Sequence, residues 1–337
     1  MRKKIIAWRI GISIIFVLVL GLIVYSFVIR NRAQLQNGEI RIYEKHYAFV
    51  SDLNYQGTMW EEIYTGARAY GETHDILVEW FGENLVEDYS KRELLKIAIE
   101  SGVDGIIVQG DDSGEMNDLV NEAESRGIPV ITVWQDSYGS YRKSFVGMSS
   151  YNLGREYGEY LLQMEKNSVK KLLVVINTGN EDSGEKLVYT GIRETLADIS
   201  GEEIKVDTLV VDGSERYGVE ESIRTLLLGD EIPDVVVCLD EQTTSTMIRL
   251  MVDYNKVGQA RVIGFYDSDE ILDAVESNAI MATLSSDCYK MGNDAVSILD
   301  EYSRKGYVSE YMPVEVQVIT RDNVNAYRMS EEESDDE

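Results

Sequence analysis

Short apolar runs alternate with helix-sized amphipathic segments along most of the chain from residue 47 onward. One such segment, residues 92–100, has leucine, alanine and isoleucine on one face and is followed by Gly102, a common helix-ending residue. Parallel strands need a long crossover between them, and a helix is its usual form. The alternation therefore predicts an α/β fold built from doubly wound parallel sheets. The strand candidates are 47–51, 76–80, 105–108, 130–134, 172–176, 205–211, 235–239, 262–265, 279–284 and 314–319.

Residues 10–29 are uncharged and mostly apolar. As a helix they rise about 30 Å, the thickness of one hydrocarbon core, and no small-residue cleavage site follows them. We expect an uncleaved transmembrane signal anchor. Four basic residues precede the span and two follow it, so residues 1–9 are predicted to be cytoplasmic. Residues 30–46 would then be a juxtamembrane linker, and the chain beyond would lie outside a cell membrane crossed once.

The formal net charge is −28, and all 60 acidic residues lie after residue 38. Nucleic acids and anionic lipids are recognised by basic surfaces that displace counterions, so a nucleic-acid partner is not expected. The last residues, 326–337, are dense in carboxylates. They are predicted to form an acidic disordered tail.

Few residues suited to catalysis or metal binding are present. The only histidines are His46 and His74, and the only cysteines are Cys238 and Cys288, in no metal or redox spacing. Cys238 follows three valines, which predicts a buried thiol. No EF-hand spacing occurs. We therefore expect no metal, no cofactor and no enzyme activity. A glycan-acting enzyme using two carboxylates stays as an alternative, because their separation is not readable from sequence.

Several stretches resemble the type I periplasmic sugar-binding proteins, the ribose-binding group whose fold also serves lac-repressor-type ligand domains. They are 103–108 (VDGIIV), 123–132 (AESRGIPVIT), 262–267 (VIGFYD), 282–284 (ATL) and 291–292 (MG). The resemblance implies two α/β lobes that close by hinge motion around a small molecule. It implies an N-lobe of 47–147 plus 269–283 and a C-lobe of 150–263 plus 287–325. The three crossings would fall near 147–150, 265–268 and 284–287.

The resemblance also implies a ligand site where loops leave the carboxyl ends of the strands. Amides and carboxylates there would pair with vicinal hydroxyls, and flat rings would cover the apolar face of a sugar. The chain departs from the family pattern in having Met59-Trp60 for two phenylalanines, Lys186 for an arginine and Ser286 for a glutamine. The candidate ligand-binding residues are Asn54, Met59, Trp60, Trp134, Gln135, Asp136, Asp182, Lys186, Asp240, Tyr266, Asp267 and Ser286.

Some candidates have a structural interpretation of equal standing. Asp240 and Asp182 stand where a helix begins and could serve as N-caps. Trp60 and Trp134 could pack in the core. Tyr266 and Asp267 could hold a hinge crossing.

The function expected from this resemblance is a membrane-anchored, extracytoplasmic solute-binding protein. It would close on a small polar, sugar-like ligand and present it to an ABC-type sugar transporter. The alternative is an accessory receptor that senses a ligand for a membrane histidine kinase. A transcription regulator is disfavoured because no helix-turn-helix segment is recognised and a membrane span is expected.

Overall fold

A computed structural model describes residues 42–52, 58–83, 85, 89–164, 169–178, 184–199, 204–213, 215, 217–229 and 231–335. From Lys45 onward the chain forms one compact unit. The predicted anchor, 10–29, lies outside the described residues. Among the described helices, none combines the length and apolarity that a bilayer crossing needs.

Strands and helices alternate as the sequence predicts. The strands are β1 (Lys45–Val50), β2 (Ile76–Trp80), β3 (Gly105–Gln109), β4 (Val130–Val133), β5 (Ser144–Gly147), β6 (Lys171–Asn177), β7 (Lys205–Val211), β8 (Val235–Cys238), β9 (Arg261–Phe265), β10 (Ala282–Ser286), β11 (Tyr311–Pro313) and β12 (Val316–Thr320). The helices are α1 (Met59–Thr73), α2 (Lys91–Ser101), α3 (Gly114–Ser125), α4 (Ser150–Gln163), α5 (Glu185–Ile199), α6 (Gly218–Leu228), α7 (Glu241–Asp253), α8 (Asp269–Glu276), α9 (Cys288–Lys305) and α10 (Val324–Asp335).

The strands form two six-stranded sheets. The first has the order β11-β5-β4-β3-β1-β2, and all of its neighbouring strands are parallel. The second has the order β12-β10-β9-β8-β6-β7, in which only β12 runs antiparallel to its neighbour. The predicted α/β fold with two parallel-sheet lobes is confirmed. We call the lobes the N-lobe and the C-lobe.

Local signals place the helix ends. Ser90 and Glu93 form a reciprocal capping box at the start of α2, and Gly102 ends that helix with φ of 65°. Asp287 caps α9 by accepting a hydrogen bond from the Lys290 amide at 2.6 Å. Because these contacts join residues that are close in sequence, the ends of these helices can be predicted from the sequence.

The assignment of the last elements to the lobes differs from the expectation. Residues 269–283 lie in the C-lobe, because α8 packs on α7 and β10 pairs with β9. Helix α9 lies instead in the N-lobe, against α1 and strands β3 to β5. The chain crosses between lobes at 147–150, 286–288 and 313–316. The predicted crossing at 265–268 is wrong, since a βα alternation does not say which sheet receives the next element.

Glycines explain why α9 belongs to the N-lobe. A Cβ on Gly292 would lie 1.7 Å from the carbonyl oxygen of Ile63, and one on Gly66 would lie 1.9 Å from that of Tyr289. Only glycine permits backbones to approach this closely. The two helices therefore pack backbone to backbone.

Three further differences are local. Strand β5 (144–147) was not predicted, and Trp134 lies just beyond β4. The predicted disordered tail is helical as far as Asp335, because Val324 and Tyr327 are buried and Arg328 pairs with Asp273 at 2.5 Å. The prediction of a buried Cys238 is confirmed.

Candidate ligand-binding cleft

Two adjoining cavities lie between the lobes, beside the carboxyl ends of the strands. The inner cavity has a volume of about 50 Å³ and the outer one about 800 Å³. Gln135, Met148, Ser150 and Glu185 line both. Fifty cubic ångströms hold only a few water molecules, whereas small-molecule sites span roughly 300–1,000 Å³. In this arrangement the inner cavity can therefore take only a small part of a solute, and the rest of the room is in the outer cavity.

The structure brings eight of the predicted residues to these cavities. Met59, Trp60, Trp134, Gln135, Asp240 and Ser286 line the inner cavity, and Gln135, Asp136 and Lys186 line the outer one. Ligand contact by these residues stays a prediction. Asn54 and Asp182 lie outside the described residues.

Two buried donors in the inner cavity have no acceptor among the described residues. They are Nε1 of Trp60, which is 2% exposed, and Nε2 of Gln135, which is 6% exposed. A buried donor without a partner costs about 1–3 kcal/mol. Both groups can only donate, so the group that satisfies them must offer oxygen or another acceptor.

Trp134 combines the two roles that the sequence left open. Its φ of 67° is unusual for a non-glycine residue, and its ring centroid lies 5.5 Å from that of Phe265 in an edge-on arrangement. The contact joins the two lobes, and the side chain also lines the inner cavity. Trp134 is therefore both a packing residue and part of the cavity wall.

Asp240 is an N-cap, as one of its two interpretations expected. Its Oδ1 accepts from the Thr243 amide at 2.6 Å and the Thr243 hydroxyl at 2.7 Å, and its Oδ2 accepts from Nδ2 of Asn177 at 2.8 Å. Burial raises the pKa of Asp240, although these hydrogen bonds oppose the rise. Three hydrogen bonds therefore fix the orientation of the Asp240 carboxylate beside the inner cavity.

Asp136 is bound by an arginine that the sequence analysis did not single out. Arg142 donates through Nε and Nη2 to the two carboxylate oxygens, and the Thr132 hydroxyl donates to Oδ1 at 3.0 Å. Nη1 of Arg142 also donates to the Glu310 carbonyl at 3.0 Å, which ties this loop to the segment before β11. Paired donors of this kind fix a carboxylate in orientation.

Tyr266 and Asp267 line neither cavity. The Tyr266 hydroxyl donates to Oε2 of Glu62 at 2.5 Å, and the Tyr327 hydroxyl donates to Asp267. The first contact connects the lobes and the second holds α10 to the C-lobe. Both residues therefore have structural contacts, but this turn is not a crossing between the lobes, so the expectation that they hold a hinge crossing is wrong.

A second carboxylate also bridges the lobes. Oε2 of Glu241, at the start of α7, accepts from the Thr58 amide at 2.9 Å, and its Oε1 accepts from the Thr58 hydroxyl at 3.3 Å. Thr58 gives α1 no side-chain cap of its own. The C-lobe therefore caps the first helix of the N-lobe.

The described residues contain no group of three or more histidine, cysteine or acidic side chains placed to hold a metal ion. Burial raises the pKa of the Cys238 thiol far above its usual range.

A sequence profile described as the periplasmic binding protein domain matches residues 48–306. The chain belongs to the periplasmic binding protein family. The resemblance seen in the sequence is thereby confirmed. No curated protein matches this family member significantly.

Solved structures agree on the fold of this periplasmic binding protein. The glucose-galactose binding protein GanP of Geobacillus stearothermophilus is 22% identical, with a TM-score of 0.71 over 83% of this chain and 98% of its own. A carbohydrate transporter protein of Acidothermus cellulolyticus, in complex with myo-inositol, is 19% identical, with a TM-score of 0.73 over 84% and 96%. A chain of the XylFII–LytSN complex is 21% identical, with a TM-score of 0.70 over 82% and 98%.

Two residues of this binding protein were missed in the sequence: Glu62, which joins the lobes through Tyr266, and Arg142, which lines the outer cavity. Glu62 lies three residues after Met59, so it shares a face of α1 with a predicted site residue. Arg142 lies six residues after Asp136 in an irregular loop, where no periodicity indicates direction. The three-residue spacing from Met59 could have indicated Glu62, whereas no pattern in the sequence indicated Arg142.

Proposed function

We propose that this chain is an extracytoplasmic solute-binding protein that closes on a small, sugar-like ligand without changing it chemically. The observation that carries the proposal is the pair of unpartnered donors, Trp60 Nε1 and Gln135 Nε2, in the wall of a cleft between two lobes. A ligand rich in hydroxyl oxygens would satisfy both donors.

The cleft also has the mixture of groups that sugars need. Trp60 and Trp134 supply flat apolar surface, while Gln135, Asp136 and Asp240 supply oriented polar atoms. Similar solved proteins are described as binding glucose and galactose, or myo-inositol. These ligands are polyhydroxylated rings, and they support the same ligand class here.

Closure would follow from the three crossings between the lobes. Short connections at 147–150, 286–288 and 313–316 allow hinge motion while each sheet stays rigid. The contacts Thr58–Glu241 and Glu62–Tyr266 exist only when the lobes are together. They would stabilise the closed form.

In this proposal residues 10–29 anchor the protein in the cell membrane, with the lobes outside and the N-terminus in the cytoplasm. The closed form would present its solute to an ABC-type transporter. Tethering raises the local concentration of the binding protein near such a partner, so a weak interface would suffice.

A sensing role uses the same binding step. The similarity to a chain of the XylFII–LytSN complex supports it, because that protein of like fold assembles with a second protein. Under this alternative the closed form would contact the outer domain of a membrane histidine kinase.

The decisive experiment is thermal melting of residues 42–337 against sugars, polyols, nucleosides and amines. A ligand present at 100 times its Kd should stabilise the protein by about 2.7 kcal/mol. Trp60→Phe and Gln135→Met should reduce the shift, because each removes an unpartnered donor. Gln259→Met, at an exposed turn, is the matched control. No shift with any sugar or polyol contradicts the proposal, and a chemically altered ligand would contradict the absence of enzyme activity.

A further inference from the structure

The outer cavity is larger than a single small solute needs. Its volume of about 800 Å³ lies near the upper end of the range for small-molecule sites, and it shares Gln135 and Glu185 with the inner cavity. Its walls come from both lobes, since Asp136 and Arg142 belong to the N-lobe and Lys186 begins α5 of the C-lobe. The space is therefore part of the cleft between the lobes.

Exposed apolar side chains stand among the residues that line this cavity. Tyr138 is 82% exposed, Leu187 is 46% exposed and Tyr311 is 40% exposed. Tyr138 and Tyr311 lie on the N-lobe side and Leu187 on the C-lobe side. Exposed apolar side chains in the lining of a cavity are available to pack against the apolar faces of a bound ligand.

The Tyr311 ring is preorganised. It stacks on Phe145, with ring centroids 5.5 Å apart and planes 12° apart, and Phe145 also lines the cavity. A ring held in this way loses little conformational entropy when the flat apolar face of a ligand packs against it. The Arg142–Glu310 hydrogen bond fixes the neighbouring backbone.

Polar groups also line this cavity, and Gln135 lines it where it adjoins the inner cavity. Nε2 of Gln135 is buried there without an acceptor, and the Asp136 carboxylate is held beside it by Arg142. The cavity thus combines an unpartnered donor, Nε2 of Gln135, where it adjoins the inner cavity with exposed tyrosine rings elsewhere in its lining. A chain of sugar rings has matching features, with hydroxyl groups at its terminal ring and apolar faces on the following rings.

We propose that the outer cavity binds an oligosaccharide, with its terminal unit at Gln135 and a following unit against Tyr138 and Tyr311. The inference rests on the proposed function and deepens it by naming the ligand class. A monosaccharide would leave these two tyrosine rings uncovered.

The test is calorimetric titration of residues 42–337 with three series of sugars, based on glucose, galactose and arabinose, each from monosaccharide to tetrasaccharide. In one series the affinity should rise at least about tenfold on going from one ring to two or three. Tyr138→Ala should weaken oligosaccharide binding about three- to tenfold and leave monosaccharide binding unchanged. Tyr138 is exposed, so the variant should fold.

Tyr141→Ala is the matched control, because Tyr141 is 71% exposed, three residues away and not part of the cavity wall. It should bind every sugar as the parent does. Equal affinity for monosaccharides and oligosaccharides would overturn the inference alone and leave sugar binding intact. Equal effects of the two tyrosine variants would do the same. Absence of binding in all three series would overturn the inference, and the melting panel of sugars and polyols would then decide the proposed function separately.

Discussion

The hydroxyl of Tyr266 donates a 2.5 Å hydrogen bond to Oε2 of Glu62 and so joins the turn after β9 in the C-lobe to α1 in the N-lobe. Burial raises the pKa of Glu62 from 4.5 to about 7, and the nearby charges of Asp267 and Asp287 add to the rise. The hydrogen bonds from Tyr266 and from the backbone of Tyr289 oppose it. The contact between the lobes therefore includes a carboxyl that titrates near neutral pH.

This contact predicts a pH-dependent stability. Because the pKa of Glu62 is higher in the closed, folded state than in the unfolded chain, the folded state binds more protons between about pH 4.5 and 7. The contribution of Glu62 to the free energy of unfolding should fall as the pH rises through this window, by on the order of 3 kcal/mol. Thermal melting between pH 5 and 8 measures the effect. Glu62→Gln should flatten the dependence, and an unchanged slope in that variant would refute this assignment.

The Glu241 carboxylate predicts a second lobe-to-lobe effect. Glu241→Ala removes the acceptor for the Thr58 amide and leaves the start of α1 uncapped. The free energy of unfolding should fall by about 1 kcal/mol, and small-angle scattering should show a larger radius of gyration as the lobes separate. Glu270→Ala is the control, since Glu270 is an exposed acid in the first turn of α8. Equal effects of the two variants would contradict the bridging role.

The close packing of α9 on α1 predicts that adding a single methyl group at Gly292 strongly destabilises the protein. Gly292→Ala places a Cβ 1.7 Å from the Ile63 carbonyl oxygen, so the helices must separate. Urea denaturation should show a loss of about 3 kcal/mol or more. Gly114→Ala, in α3, should be nearly neutral, because a Cβ added at Gly114 would meet no atom within 4 Å. A neutral Gly292→Ala variant would exclude the close approach described here.

Breaking the Asp136–Arg142 pair should lower the free energy of unfolding more than breaking an exposed ion pair does. Arg142→Met leaves a half-buried carboxylate without its paired donors and frees the Glu310 carbonyl, so the free energy of unfolding should fall by about 1–2 kcal/mol. Arg155→Met breaks an exposed pair with Glu159 and should cost no more than about 0.5 kcal/mol. Similar losses in chemical denaturation would show that Arg142 acts only as surface charge.

Local patterns determined the elements of this protein. The apolar runs at 105–108 and 235–239 became β3 and β8, and Gly102 ended α2 as expected, because hydrophobic periodicity and helix caps depend on residues close in sequence. The same information placed Trp134, Gln135 and Asp240 beside the cleft. They directly follow β4 in the N-lobe and β8 in the C-lobe, and ligands bind beside the carboxyl ends of such parallel strands.

Only the tertiary structure decided which lobe α9 joins, that Tyr266 meets Glu62, and that Arg142 holds Asp136. Each of these outcomes depends on residues brought together from different strand–helix units or from an irregular loop. Their distances follow from sheet order and close helix packing, for which a single sequence has no periodic signal. The sequence by itself determined the α/β elements and the family. The tertiary structure decided the crossings, the contacts that close the lobes and the shape of the cleft.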